Sequence, residues 1–86
     1  MKVELKQVFY SSNVIEYQVF LDGEYIGNAT YYRPFKELRI SIRKSEVTAV
    51  DGEIKEELSV IHEDDREIVE EIVKEVFSRF KKPLKL

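Results

Sequence analysis

The first half of the chain alternates apolar and polar residues with a period of two, the mark of strands that bury one face. Asking which pairings gather the apolar positions on one side yields registers. A short loop at Ser11, Ser12 and Asn13 sets Val3 opposite Leu21, Leu5 opposite Val19 and Phe9 opposite Ile15, with Gln7 opposite Tyr17 as the exception. The next reversal falls at Leu21-Asp22-Gly23, where two geometries compete. Asp-Gly suits a two-residue turn with both residues left-handed, but that register places Tyr17 beside Asn28 and Ile15 beside Thr30. A three-residue loop with Gly23 left-handed pairs Val19 with Tyr25, Tyr17 with Gly27 and Ile15 with Ala29, and is preferred because a one-residue slip turns the whole apolar set outward.

Pro34 cannot donate to a ladder, so Tyr32 to Lys36 reads as a turn. Pairing Tyr31 with Leu38, Ala29 with Ile40 and Gly27 with Ile42 then keeps one face apolar. Beyond Lys44, Val47 and Ala49 join Ile54 and Leu58 through a turn at Asp51-Gly52, which requires a change of face near Ser45 of the kind a bulge supplies.

The period then changes to that of a helix. In HEDDREIVEEIVKEVFSRFKKP, Ile68, Val69, Ile72, Val73, Val76, Phe77 and Phe80 form one stripe. Asp64 followed by Glu67 reads as a capping box, acids fill the first turn, bases fill the last, and Pro83 stops the helix. The fold class is therefore α+β: an antiparallel β-meander of five to six strands followed by one C-terminal amphipathic helix packed on one face of the sheet, in a single domain over residues 1–86.

At about 4.8 Å per strand, five or six strands span roughly 20 to 25 Å, whereas a helix with its side chains is about 10 to 12 Å wide. The uncovered apolar area is removed either by curvature or by a second chain. The expectation is a homodimer, formed through the residual apolar face or through sheet edges.

Composition narrows the function without choosing it. The absence of cysteine excludes disulfides and thiolate metal sites, and charges interrupt every apolar run well short of a membrane span. A cytosolic protein with no membrane contact is expected. Charged residues make up 36 % of the chain, with few Asn, Gln, Met or Cys, a balance that resembles hyperthermophile composition. Net charge is -3, but it is polarised. Acids crowd residues 51–75 against only Lys55, Arg66 and Lys74, whereas Arg79, Lys81, Lys82 and Lys85 close the chain without an acid among them.

No catalytic or cofactor motif is present. His62 is the single histidine, and the acids after it cap a helix more readily than they converge on a metal. The glycines serve turns and close packing, and none precedes a helix as a phosphate-binding loop does. The stretch ATYYRPFKELRISIRK, residues 29–44, does combine bases with aromatic rings. Its register sends Tyr31 into the core and sets Arg39 and Arg43 among Glu16, Gln18, Asn28, Glu37 and Ser41 on the solvated face, where acids weaken the attraction for phosphate. Tyr32, Arg33, Phe35, Arg39 and Arg43 remain as candidate nucleic-acid contacts, joined by the basic tail. The reading that leads is a non-enzymatic interaction or regulatory module acting as a homodimer with no cofactor, and the alternative is a single-stranded nucleic-acid-binding protein using those five residues.

Overall fold

The computed structural model describes residues 1–80. Six antiparallel strands follow one another in spatial order: β1 (Val3–Tyr10), β2 (Val14–Leu21), β3 (Glu24–Tyr32), β4 (Glu37–Ile42), β5 (Ser45–Val50) and β6 (Glu53–Ile54), and then the helix α1 (Arg66–Arg79). The expected meander and C-terminal helix are both present, and the helix packs on one face of the sheet. Among the described residues no helix is long and apolar enough to cross a membrane. Pro83 and the basic residues Lys81, Lys82 and Lys85 lie outside the described residues.

Strand pairing agrees with the apolar pattern over most of its length. Val3 faces Leu21 and Leu5 faces Val19, while Tyr31 faces Leu38, Ala29 faces Ile40 and Gly27 faces Ile42. Two departures share one cause. The Asp22-Gly23 turn is the two-residue form, with both residues at positive φ (50° and 88°) and Leu21 opposite Glu24. A bulge at Ile26 then adds one residue to β3, so that Val19 faces Gly27, Tyr17 faces Ala29 and Ile15 faces Tyr31. The preferred three-residue loop is therefore incorrect. The turn satisfies the twist of the hairpin, and the bulge restores the inside-outside phase the turn alone would have reversed. In β1 a second bulge, between Gln7 and Phe9, moves Phe9 from its expected place opposite Ile15 to one opposite Glu16 and brings Tyr10 to Ile15 instead.

Farther along, β4 and β5 are joined by a tight turn at Arg43-Lys44, with Arg43 at φ 48°. No glycine announces it. Ile42 faces Ser45, Ile40 faces Val47 and Leu38 faces Ala49, so the expected change of face near Ser45, from even to odd inward positions, is made by this turn and not by a bulge. Ala49 does pair with Ile54, whereas Leu58 ends a short 3-10 turn and is exposed.

The helix entry also differs from expectation. A 3-10 turn over Glu63–Asp65 precedes α1, the backbone N–H of Asp64 donates to His62 Nδ1 at 3.3 Å, and no side chain caps α1 itself. The Asp64/Glu67 capping box is replaced by a different anchor. Asp65 is 2 % exposed and accepts from Ser45 Oγ at 2.6 Å and from the Arg43 guanidinium, while Ser45 Oγ accepts from the His62 N–H at 2.9 Å. One carboxylate thus ties the start of the helix to the β4–β5 turn.

Curvature resolves the mismatch in width. Ile15, Tyr17, Val19, Ala29, Tyr31, Leu38, Ile40, Ile42, Val47 and Ala49 are all buried in one core with Ile68, Val69, Ile72, Val73 and Val76, and Val3 and Leu5 of β1 and Ile54 of β6 pack against the same core from opposite edges. A flat sheet could not bring both edges to one helix. Among the described residues no broad apolar face is left over, so the expected route to a dimer through such a face loses its basis. At Gly27 the backbones of β3 and β4 approach closely, since a Cβ there would lie 2.1 Å from the Ser41 carbonyl oxygen.

Two stability comparisons check this account by denaturant unfolding. Asp65→Ala strips Arg43 and Ser45 of their partner and is expected to cost about 2–3 kcal/mol, against less than about 1 kcal/mol for Asp64→Ala at the exposed helix start. Gly27→Ala collides with backbone and is expected to cost about 3 kcal/mol or more. Gly23→Ala, with open space around it, should cost only about 1 kcal/mol for its positive φ.

Candidate functional site

Of the five residues singled out in the sequence, Tyr32 and Arg39 come together and the other three do not join them. Tyr32 ends β3 on the outer face, in a cross-strand row with Val14, Glu37 and Val50. Arg39 lies beside it, its guanidinium 5.5 Å from the Tyr32 ring centroid and its Nε donating to Glu37 at 2.6 Å. The Glu37 hydrogen bond and charge hold the Arg39 pKa above its ordinary value. Arg33 turns to the other side, where it donates to the Tyr10 hydroxyl at 2.9 Å and lies 5.4 Å from the Phe80 ring centroid. Phe35 stands at the tip of the 3-10 turn, 70 % exposed. Arg43 sits in the β4–β5 turn rather than on a strand face, engaged by Asp65. It is separated from Arg33 by the length of β4, roughly 20 Å at strand rise.

Between Tyr32 and Arg43 the outer face carries mixed polar rows, Glu16–Thr30–Arg39–Thr48 and Gln18–Asn28–Ser41–Glu46. Nothing there forms the basic groove with successive stacking rings that single strands require. The main concavity lies near the C-terminal end of α1, a cavity of about 720 Å³ lined by Tyr31, Phe77 and Phe80 with Lys36, Lys74 and Asp51. Tyr31 stacks on Phe80 with centroids 4.5 Å apart, and burial raises the pKa of its hydroxyl against the opposing charge of Arg33. This is an aromatic floor with a mixed-charge rim, and His62, at the other end of the helix, does not reach it. Among the described residues no three His, Cys, Asp or Glu side chains gather as metal ligands.

The sheet edges are unequal, and this contrast is the most informative feature of the surface. The β5 edge is closed by the chain's own return. β6 pairs with Ala49 and Val50, the Thr48 carbonyl accepts from the Lys55 N–H at 2.8 Å, the Thr48 N–H donates to Ser59 Oγ at 3.0 Å, and Glu46 exchanges two backbone bonds with Val60 at 2.8 and 2.7 Å. By contrast β1 pairs only with β2. Its ladder phase follows from Lys2, whose carbonyl accepts from Asp22 and whose N–H donates to the Asp22 carboxylate, both at 2.8 Å. Antiparallel ladders alternate, so Glu4 and Lys6 also bond to β2, and the N–H and C=O groups of Val3, Leu5 and Gln7 point away from the sheet. Among the described residues nothing receives them.

Alternation does not single out these edge residues, because it shows which face a strand buries and not whether a neighbour stands on both sides, although sheet edges are among the expected dimer surfaces. The signal was present, since the first strand of a meander is an edge unless the sheet closes. At and past the bulge, Val8, Phe9 and Tyr10 are 48 %, 51 % and 59 % exposed, extending the open edge with apolar surface. Compared with known proteins, the chain matches no family model, no curated protein and no solved structure.

The scattered bases lead to a direct expectation. Fluorescence anisotropy with a labelled single-stranded oligonucleotide at about 150 mM salt, where exposed charges are screened beyond roughly 8 Å, should detect no micromolar binding. Micromolar binding lost on joint replacement of Arg39 and Arg43 by alanine would restore residues 29–44 as a nucleic-acid surface.

Proposed function

We propose that the protein is a small non-enzymatic interaction module that acts as a homodimer, with a sheet edge as its binding surface. The observation that carries this reading is the asymmetry of the edges: one is sealed by residues 53–60, and the other offers β1 with its outward backbone groups unpaired among the described residues. Unpaired edges are the usual receptors for an added strand, in which main-chain hydrogen bonds provide affinity and alternate side chains provide selection. The separation of the candidate bases and the mixed charge of the outer face favour this reading over single-strand binding.

Light scattering at micromolar to high-micromolar concentration checks the assembly. The expected mass is near twice 10.2 kDa, approached progressively as concentration rises. A single species at 10.2 kDa across the range would contradict the homodimer.

A further inference from the structure

The regular part of β1 runs from Val3 to the bulge that follows Gln7, and its midpoint is Leu5. Building on the reading of the protein as a dimeric module with an edge for its surface, we infer that the occupant of this edge is a second copy of β1, antiparallel, related by a two-fold axis through Leu5. The chain's own pattern selects this arrangement over its neighbours. With the axis at Leu5, the outward-facing residues meet one another: Leu5 faces the partner's Leu5, and Val3 faces the partner's Gln7. Each of these pairs can exchange both backbone hydrogen bonds.

The side chains agree with the backbone. Leu5 and Val3, partly buried at the margin of the core, continue the inner face across the junction. On the outer face Glu4 lies opposite the partner's Lys6, and Lys6 opposite the partner's Glu4, in the closer, non-hydrogen-bonded pairs where opposite charges attract and like charges repel. Moving the axis by one residue, to Glu4 or Lys6, sets like charges against each other and turns the free backbone groups out of phase. Moving it two residues toward the N-terminus sets the axis at Val3, the first residue of β1, so that the rest of the strand faces no strand residue of the partner, and two residues the other way places the axis against the bulge. The charged residues that ordinarily protect an edge from indiscriminate pairing therefore favour the Leu5 register and oppose the shifts of one residue to either side, while the length of the regular strand selects against the shifts of two.

The sheets of the two copies then join edge to edge, with β1 of each at the centre. A contact built on so short a run falls in the small class of interfaces, below about 1,200 Å², and dissociation is expected in the micromolar range.

Charge reversal tests the register. Lys6→Glu alone sets glutamate against glutamate across the axis twice, and Glu4→Lys alone does the same with lysine. Each single variant should weaken dimerisation by roughly tenfold or more in analytical ultracentrifugation. An equimolar mixture of the two variants should dimerise again, because the lysine-bearing edge of one meets the glutamate-bearing edge of the other, and the Glu4→Lys/Lys6→Glu double variant should dimerise with itself. Recovery on mixing also shows that both variants are folded. A wild-type monomer at high micromolar concentration would overturn this inference together with the homodimer reading. A dimer indifferent to both single reversals, or weakened by them but not recovered on mixing, would overturn the Leu5-centred pairing and leave the dimeric module standing on another surface.

Discussion

A six-stranded sheet can hide its inner face behind a single helix only by curling around it, and the rest of this structure depends on that constraint. The strands supply Val3 and Leu5 from one edge and Ile54 from the other to a core centred on Ile72 and Val76. The devices that bend the sheet are local: the bulge at Ile26 and the bulge after Gln7. Bulges increase twist and bend the strand that carries them, so here they contribute to burial as well as to register. The Asp65 anchor holds the start of the helix against the β4–β5 turn at one end, and the Tyr31–Phe77–Phe80 cluster receives it at the other.

Curling has a consequence at the margins. The returning segment after β6 seals the β5 side with backbone and Ser59 hydrogen bonds, but no element remains in the described chain to seal β1. Because the inner face is already covered within one chain, a partner has little to gain from the sheet's breadth and most to gain from this edge. The proposed function follows from that imbalance, and the charge pattern of Lys2, Glu4 and Lys6 gives it a direction.

Much of the fold was legible in the sequence because burial imposes strict periods. Alternation locates the strands, the 3.6-residue stripe locates α1, and Pro34 marks the β3–β4 connection correctly. The errors fall where one residue is added or where a turn lacks its usual residues. A bulge keeps the apolar pattern intact while changing the count, so pattern matching favoured a longer loop at Gly23. Arg43 adopts a left-handed conformation without being glycine or asparagine, which hid the tight turn before Ser45. In sequence Asp65 is one of several acids at a helix start, whereas its burial depends on Arg43 and Ser45, 22 and 20 residues earlier. The candidate site was less legible still. Aromatic and basic residues close in sequence were separated by strand alternation and a turn, whereas the open edge is a property of topology that no local motif displays.

The central claim, that β1 is an open edge filled by a second copy, is most directly tested by amide hydrogen exchange measured residue by residue at low and high protein concentration. The account predicts that the Glu4 and Lys6 amides, bonded to β2, are protected at both concentrations, while those of Val3 and Leu5 exchange rapidly in dilute protein and become protected as concentration rises. Val3 and Leu5 amides that exchange rapidly at every concentration would contradict the pairing. Protection of the same two amides in dilute monomer would show that the edge is already closed.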